Sequence, residues 1–411
     1  MPKSVLLLSG FRIFPNSTGG HIRSGSIARA LARRGHRVLI YALAGRQEDY
    51  RGAKIFRSSR HIEQIEPNLT EETNLGLAFG LLQAIGRRLD YPRVWQYVLL
   101  RLGIVPKRLK AALQDANVII CDMPWCAPVP GPSRGKPWFL LSHNLEHRLL
   151  EQGNARYRWA ASWMRKIEAS APRRYRDILA CAEEDREFFK SFDLEGRLRI
   201  PIVRNGVDPQ AYVAPPGTRA RVRAELGLDE AERLLIFSGS GFAPNLEALE
   251  TLKAFCRSEA EFLARERVRI LILGSMSPSA YREGALIATG RVPEVVPYFA
   301  AGDAGLNPVT RGSGANVKIF EYLAARLPVI STPFGVRGTE LEPGRDYLSY
   351  GPEELKTTIS QFVHGRSRSE WRDHAEQVWL RHRRSCDIEE LVRDALALLP
   401  DFQIPGEIKS C

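Results

Sequence analysis

The residues of this chain best suited to chemistry lie in a glycine-containing segment that leads into an apolar helix. The segment reads Arg311, Gly312, Ser313, Gly314, Ala315, Asn316, and Lys318 and Glu321 follow it. Residues three apart share one face of a helix, and the amides at a helix N-terminus attract anions. The pattern therefore predicts a site where loop amides and Lys318 meet phosphate groups and Glu321 meets a pair of hydroxyls. A surface Lys–Glu pair on an ordinary docked helix would have the same spacing.

Two further loops could bring backbone amides to a ligand. One lies at 15–21, between the first predicted strand and the first helix, and the other follows a predicted strand at 234–240. Glycine allows a ligand to approach the backbone closely. The proposed ligand contacts are Gly19, Gly20, Gly239, Ser240, Gly241 and Asn245. Each loop is also consistent with a plain strand-to-helix turn, and the first lacks the GxGxxG spacing of a dinucleotide site.

A histidine stands directly after an apolar strand candidate, in the run Leu141–His147. Ligands of open α/β sheets bind beyond the carboxyl ends of the strands, where His143 would lie. Imidazole titrates near neutral pH and is suited to proton handling. His143 is therefore a candidate catalytic residue, and a hydrogen-bonded structural histidine is the equal alternative.

The strands and helices that must position these candidates alternate along the chain. The strand candidates are Val5–Gly10, His36–Leu43, Asn117–Asp122, Pro137–Asn144, Asp177–Glu183, Ile200–Arg204, Leu234–Ser240, Val268–Gly274, Asp303–Pro308 and Leu327–Thr332. Helical periodicity between them, as in Ile22–Arg34, predicts parallel sheets covered by helices. The stretch from about 60 to 115 is rich in Leu, Arg and Gln and predicts a helical excursion.

The chain is too long for one ordinary hydrophobic core. The strand–helix alternation restarts after the Pro-Pro-Gly turn at 215–217. We therefore predict an N-terminal domain at 1–207, a C-terminal domain at 208–385, and a C-terminal helix and tail at 386–411 that could pack back on the N-terminal domain.

Composition narrows the function class without choosing a ligand. The 411 residues are 44% apolar with a net charge of +12, which favours anionic partners. The positive charges are spread along the chain without a nucleic-acid-binding signature, so no nucleic-acid partner is expected. The six cysteines lack metal-site spacing, and no run reaches the roughly 18 to 20 apolar residues of a membrane span. A cytoplasmic protein is expected, and the basic aromatic stretch at 159–174 leaves open a peripheral contact with an anionic membrane at its inner face.

Taken together, these motifs resemble the family 4 glycosyltransferases of GT-B fold. The matching segments are Gly19–Gly20, His143–Glu146, Val203–Asp208, Phe237–Gly239, Gly312–Ala325 and Leu327–Thr332. Their order and spacing extend over nearly the whole chain. The resemblance implies an α/β fold of two Rossmann-like doubly wound domains that face each other across a cleft. It also implies a retaining, hexosyltransferase-type enzyme that takes its sugar from a nucleotide-sugar donor.

The resemblance assigns roles to the candidate residues. Glu321 would hold the ribose hydroxyls, while Lys318 and the amides of residues 312–316 would face the diphosphate. Gly20 would close over the donor from the other domain, and His143 would lie near the transferred sugar. No cofactor beyond the nucleotide-sugar and no metal is implied.

Two positions depart from the family pattern. Ser313 stands where members often carry a second Glu that contacts the sugar, and the Arg and Lys that often clamp the diphosphate after the 234–240 strand are missing. Lys318, Arg311 and Arg204 are the cations predicted to replace that clamp, with Asn205 as a further donor contact. Transfer would then rest on positive charge and amides at the departing diphosphate, which makes Lys318 a candidate catalytic residue together with His143.

Two alternatives to a transferase stay open at this stage. One is a catalytically silent protein that binds nucleotide-sugar and scaffolds a polysaccharide-assembly complex. The other is a nucleotide-sugar epimerase of the same fold, although the chain shows no matching set of carboxylates. For a transferase, the basic charge and the hydrophobic stretch at 75–105 favour a glycan or lipid-linked acceptor, and a protein or small-molecule acceptor is the alternative.

Overall fold

The structure, a computed structural model, describes residues 2–14, 19–43, 54–67, 98, 100–127, 135–152, 158–312 and 316–397. The chain divides into two compact units. Unit 1 comprises Met1–Arg204 with Ile388–Cys411, and unit 2 comprises Asn205–Asp387. Each unit is built around its own sheet.

Unit 1 alternates strands and helices along the chain. Its strands are β1 (Ser4–Ser9), β2 (Arg37–Ala42), β3 (Lys54–Ser59), β4 (Ile62–Glu66), β5 (Val118–Cys121), β6 (Trp138–Leu141) and β7 (Asp177–Leu179). The helices with both ends among the described residues up to 204 are α1 (Gly19–Arg33), α2 (Lys107–Asp115), α3 (Glu146–Gln152), α4 (Arg158–Ala169) and α5 (Glu183–Lys190), with a 3₁₀ turn at Ala171–Arg173.

The sheet of unit 1 has the strand order β3-β4-β2-β1-β5-β6-β7. Every neighbouring pair is parallel except β3 and β4 at one edge. Central parallel strands are covered on both faces, and for this reason β1 is apolar at consecutive positions. Leu6 and Leu8 enter the core on one face of the sheet, and Val5 and Leu7 enter the core on the other.

Unit 2 repeats this pattern. Its strands are β8 (Arg233–Ser238), β9 (Val268–Leu273), β10 (Tyr281–Glu283), β11 (Leu286–Ala288), β12 (Ala304–Asn307), β13 (Val329–Ser331) and β14 (Leu348–Ser349). Its helices are α6 (Thr218–Glu225), α7 (Ala243–Ser258), α8 (Ala260–Arg265), α9 (Val296–Ala301), α10 (Val317–Ala324), α11 (Leu355–Gly365) and α12 (Arg368–Cys386), with a 3₁₀ turn at Pro209–Tyr212.

The sheet of unit 2 has the order β10-β11-β9-β8-β12-β13-β14 and is parallel apart from the β10–β11 pair. Shifting each strand number by seven turns the first sheet order into the second. The two units are therefore two copies of one doubly wound topology. The last described helix, α13 (Ile388–Ala397), belongs to unit 1, where Ile388 and Val392 pack in the core that contains Val5 and Leu7.

The structure corrects the expectation of a helical stretch from about 60 to 115. Ile62–Glu66 is strand β4, paired in parallel with β2, and Lys107–Asp115 is helical. Residues 68–97 and 99 lie outside the described residues. Strands β3, β4, β10, β11 and β14 were not predicted, and Ile200–Arg204 contributes a single bridge, Ala180 to Ile202, in place of the predicted strand.

Candidate functional site

Lys318 is the buried cation at the carboxyl edge of the unit 2 sheet. It lies in the first turn of α10, it is 8% exposed, and its Nζ donates to Asn245 Oδ1 at 2.8 Å. The ammonium also sits 5.0 Å from the centre of the Phe237 ring. Among the described residues no carboxylate forms an ion pair with it. Burial lowers the pKa of Lys318 from 10.5 to about 8, with the nearby Glu321 charge acting in the opposite direction.

Glu321 lies one turn further along α10 and is held by a tyrosine. Its Oε1 accepts a hydrogen bond of 2.9 Å from the hydroxyl of Tyr212, which belongs to the 3₁₀ turn at the start of unit 2. Burial raises the pKa of the Glu321 carboxyl. The Tyr212 ring is stacked on Phe299, 6.2 Å between centres. One carboxylate oxygen is thus fixed, while Oε2 accepts no hydrogen bond from a described residue.

The loop after β8 is tightly packed around Asn245. Asn245 Nδ2 donates to the carbonyl of Ser240 at 3.0 Å, and its Oδ1 is the acceptor for Lys318. A Cβ at Gly239 would lie 3.0 Å from the Asn245 amide, and a Cβ at Gly274, which has φ +108°, would lie 2.5 Å from the Gly239 carbonyl. The two glycines allow this loop to approach Asn245 and so to fix the acceptor of the buried ammonium.

The segment before α10 is described at its two ends. Gly312 has φ +135°, and its carbonyl accepts a hydrogen bond from Arg337 at 3.1 Å. Asn316 is the N-cap residue of α10, and its Nδ2 donates to the Gly335 carbonyl at 2.9 Å. Ser313, Gly314 and Ala315 lie outside the described residues.

A second polar cluster lies at the carboxyl edge of the unit 1 sheet, around Asp122. Asp122 directly follows β5 and is fully buried. Its Oδ1 lies 2.6 Å from Ser24 Oγ and 2.7 Å from His143 Nε2, and its Oδ2 accepts from Ser9 Oγ at 2.8 Å. Three donors therefore surround the Asp122 carboxylate. Arg23 lies on the other side of the His143 ring, next to Nδ1.

The contacts of His143 fix the orientation of its ring. An ionised carboxylate only accepts, so Nε2 carries the hydrogen in the contact with Asp122. The other ring nitrogen, Nδ1, faces Arg23 Nη1 at 3.5 Å. Arg23 is itself held by the Ser142 and Val203 carbonyls at 2.7 and 2.8 Å. Asp122 thus selects one tautomer of His143, and Arg23 connects the ring to the backbone at Ser142, which follows β6, and at Val203.

Sequence profiles of known families match both units of this chain. The family described as "Glycosyltransferase Family 4" matches residues 19–211, and the family described as "Glycosyl transferases group 1" matches residues 232–364. Together the two matches cover most of the 411 residues. This chain belongs to the family 4, group 1 glycosyltransferases. The resemblance that was inferred from the motifs is confirmed.

Two curated relatives of this family 4 glycosyltransferase match over parts of their length. A D-inositol 3-phosphate glycosyltransferase of Nocardia farcinica is 35% identical over 116 residues, which are 27% of this chain and 24% of that protein. The protein of the same name from Rhodococcus jostii is 29% identical over 187 residues, 40% of each chain. The chain thus matches less than half the length of these relatives.

A solved structure supports the fold over the full length. The Anabaena protein HepE, in complex with UDP and glucose, superposes with a TM-score of 0.61 at 13% identity and covers 97% of this chain and 99% of its own. A likeness at this identity concerns the fold. The predicted GT-B class, with two doubly wound Rossmann-like sheets, is confirmed.

The predicted site residues of this family 4 glycosyltransferase fall into separate groups. Lys318, Asn245, Gly239 and Glu321 come together in unit 2, while His143 belongs to the Asp122 cluster of unit 1. The predicted cation Arg311 is exposed and forms an ion pair with Glu247 of α7. The other predicted contacts lie as follows: Gly19 and Gly20 open α1, Ser240 and Gly241 follow β8, Arg204 is exposed and Asn205 is buried.

Asp122, Ser9, Ser24 and Arg23 were missed by the sequence reasoning. The single available signal was the position of Asp122 and Ser9 at the ends of apolar strands, where ligands of α/β sheets bind. A buried His147–Glu168 pair was also missed. Glu168 accepts from His147 Nδ1 and from the Glu146 amide, each at 2.6 Å, and so holds the start of α3 just after His143.

Searches for metal and membrane features were confined to the described residues. Within them, no three His, Cys, Asp or Glu side chains group as a metal site, and the expected independence of metal stays a prediction. No helix in the same part of the chain is long and apolar enough to cross a membrane.

Proposed function

We propose that this chain transfers a sugar from a nucleotide-sugar donor to a glycan or lipid-linked acceptor, with retention of configuration and without a metal. Unit 2 would bind the donor through Lys318, Glu321 and the loops at Gly239 and Gly312. His143 of unit 1 would act on the transferred sugar. The family and the fold support the reaction class, and the residues of unit 2 support the placement of the donor.

The observation that carries the proposal is the buried ammonium of Lys318. A charge that is removed from water is costly unless it is paired. Lys318 is 8% exposed and, among the described residues, has a neutral amide oxygen as its hydrogen-bond acceptor. A diphosphate is an anion that would complete this pairing. The same contact would stabilise the negative charge that develops on the leaving group during transfer.

Glu321 supports a nucleotide over a simple anion. Its carboxylate lies on the same helix face as Lys318 and has one oxygen held by Tyr212 at 2.9 Å. A carboxylate accepts hydrogen bonds from a pair of hydroxyls, and a ribose carries such a pair. The distance of one helical turn between the two residues separates the phosphate contact from the ribose contact.

The Asp122 cluster supports a role in handling hydroxyl groups. Asp122 fixes the tautomer of His143 at 2.7 Å, and two serine hydroxyls donate the remaining hydrogen bonds to the carboxylate. Ser24 Oγ lies 3.2 Å from His143 Nε2, but this nitrogen carries the hydrogen that it shares with Asp122 and is not free to act as a base for the hydroxyl. This favours transfer in which the departing diphosphate assists the incoming hydroxyl.

The test is a thermal-shift screen with UDP, GDP, ADP, CMP and their common sugar conjugates, followed by a transfer assay with the nucleotide that binds. UDP is the first candidate because the HepE structure contains it. The variants are Glu321→Gln and, as a matched control, Glu250→Gln, an exposed carboxylate of α7 that pairs with Lys253. We expect one nucleotide to stabilise the wild type and the control but not Glu321→Gln.

The outcomes separate the alternatives. Turnover of the donor to a glycosylated product supports the transferase, and retention is then tested by NMR of the product anomer. Binding without turnover in the presence of acceptor lipids, glycans and inositol phosphates would favour the silent scaffold. A changed sugar on the recovered nucleotide would favour the epimerase. If no nucleotide shifts the melting temperature, the assignment of the donor to unit 2 is refuted.

A further inference from the structure

The segment before α10 contacts a cation that the sequence reasoning did not predict. Of the cations expected to replace the missing clamp, Arg311 forms an ion pair with a carboxylate of α7, and Arg204 belongs to unit 1. Unit 2 contains another arginine whose side chain reaches this segment. Arg337 lies shortly after β13, and its Nη1 donates to the Gly312 carbonyl at 3.1 Å.

The turn after β13, residues 332–338, holds both described ends of this segment. At the first end the backbone carbonyl accepts from Arg337, and at the second end the Asn316 side chain donates to the Gly335 carbonyl at 2.9 Å. Glycine is required at position 335, because a Cβ there would lie 2.3 Å from Ser331 Oγ. The position of the segment at the edge of the sheet therefore depends on this turn.

Contacts between described residues connect Gly312 to the buried Lys318. A Cβ at Gly312 would lie 3.4 Å from Pro244 Cγ, so the backbone of Gly312 lies against the start of α7. The next residue of α7, Asn245, accepts the hydrogen bond of Lys318 at 2.8 Å. Arg337 and Lys318 therefore reach the same part of the carboxyl edge, one from the turn after β13 and the other from the first turn of α10.

Two neutral groups orient the Arg337 guanidinium. Its Nη1 donates to the Gly312 carbonyl, and its central carbon lies 4.2 Å from the centre of the Phe334 ring. Neither contact brings a negative charge to the guanidinium. The side chain is half-buried, where a charge is screened less than at the surface. A planar guanidinium donates in a fixed geometry that matches phosphate oxygens, so this group is suited to bind a phosphate.

We infer that Arg337 is a phosphate-binding residue of the proposed donor site and sets the preference of this site for a diphosphate over a monophosphate. The inference rests on the proposed function, since it requires that the donor binds at Lys318. Lys318 supplies one positive charge, and a nucleoside diphosphate carries more negative charge than the monophosphate. A second cation at the same segment matches this additional charge. Arg337 would thus take the place of the clamp that is missing after β8.

The experiment measures binding of UDP and UMP by isothermal titration calorimetry to the full-length wild type, Arg337→Met and Arg337→Lys. If the nucleotide screen selects another base, its diphosphate and monophosphate replace UDP and UMP. Arg345→Gln is the matched control, because Arg345 lies a few residues after the same turn and pairs with Glu342 at the surface. Loss of one charge-assisted contact should weaken UDP binding by roughly tenfold or more in Arg337→Met, and UMP binding by less. Arg337→Lys keeps the charge but not the planar group, so its loss of UDP affinity should be smaller.

The control should bind both nucleotides like the wild type. If the wild type and Arg337→Met bind UDP equally well, the inference is overturned while the proposed function stands. Equal losses for UDP and UMP would also overturn it, because Arg337 would then not distinguish the two nucleotides. A wild type that binds no nucleotide would refute the proposed function and the inference with it. If Arg337→Met fails to fold, Arg337→Lys decides, and an unchanged ratio of its UDP and UMP affinities would contradict the inference.

Discussion

Replacing the buried Lys318 by methionine should make the protein more stable and a poorer nucleotide binder at the same time. The pKa of Lys318 falls from 10.5 to about 8 because burial disfavours the charged amine. A difference of two to three pKa units corresponds to about 3 kcal/mol. The unfolded chain holds this proton up to about pH 10.5, whereas the folded chain releases it near pH 8. The free energy of unfolding therefore rises with pH between these values, and the cost of the charge is fully present below pH 8.

Methionine is unbranched and apolar and fills a similar space without a charge. Its introduction leaves Asn245 Oδ1 without the donor that now lies at 2.8 Å, which costs about 1–3 kcal/mol. At pH 7 the variant should therefore gain about 1 kcal/mol in the free energy of unfolding of unit 2. For a unit of this size this raises the melting temperature by about 2–4 °C. Loss of a charge-assisted contact to the diphosphate should weaken nucleotide binding by about tenfold to a hundredfold.

The assay is urea unfolding of wild type and Lys318→Met at pH 7 and at about pH 9.5, together with calorimetric titration of the nucleotide. The stability difference should shrink at the higher pH, since the wild-type amine is then largely neutral in the folded state. Lys253→Met is the matched control, because Lys253 pairs with Glu250 at the surface of α7. A variant that is less stable than wild type at pH 7, or that binds nucleotide with unchanged affinity, would refute the reasoning.

Three further substitutions test the contacts around the two clusters. Tyr212→Phe removes the 2.9 Å hydrogen bond to Glu321 and should weaken nucleotide binding by roughly three- to tenfold in a titration, without loss of fold. Phe299→Leu removes the ring stacked on Tyr212 and should reduce the affinity for nucleotide less than Tyr212→Phe does, because it acts only through the position of Tyr212. A larger loss of affinity in Phe299→Leu would contradict this explanation. Asp122→Asn keeps the shape but no longer selects the tautomer of His143, and kcat should fall by about a hundredfold while the affinity for nucleotide stays constant. An unchanged kcat would remove this cluster from the reaction.

The strands that could be predicted from the sequence are those buried on both faces. The consecutive apolar residues of β1 and β8 result directly from this burial. In contrast, every residue of β3 is exposed, so the strand has no hydrophobic pattern to detect. β4 contains the buried Gln64, whose side chain bonds the backbone of Ile13 and Phe14 at 3.0 and 2.9 Å. Gln64 is buried because it accepts hydrogen bonds from a loop far away in the sequence. Its polar side chain therefore interrupts the apolar run by which a buried strand is predicted.

Separation along the chain explains which candidate site residues could be predicted from the sequence. Lys318 and Glu321 were found because their relation is local, three residues apart on one helix. The Asp122 cluster was not found, because Ser24 and Ser9 lie 98 and 113 residues from Asp122 in the chain. Arg311 stands beside the glycine loop in sequence, and its side chain forms an ion pair with Glu247 of α7, a contact that its position in the sequence does not indicate. Its role at the phosphates stays a prediction.

The two units have one strand order, and the carboxyl edge of each sheet carries a buried carboxylate and a buried cation that are held by different partners. In unit 1 the carboxylate of Asp122 accepts hydrogen bonds from two serine hydroxyls and His143, and Arg23 donates to the Ser142 and Val203 carbonyls. In unit 2 the charge of Lys318 is met by the neutral amide oxygen of Asn245. Because the Glu321 carboxylate is held by Tyr212 and Lys318 donates to one neutral acceptor, an anion placed at Lys318 would give this ammonium a charged partner. The duplicated topology gives both halves an equivalent edge for ligands, and the proposal that the diphosphate binds in unit 2 rests on the single neutral partner of the buried Lys318 ammonium among the described residues.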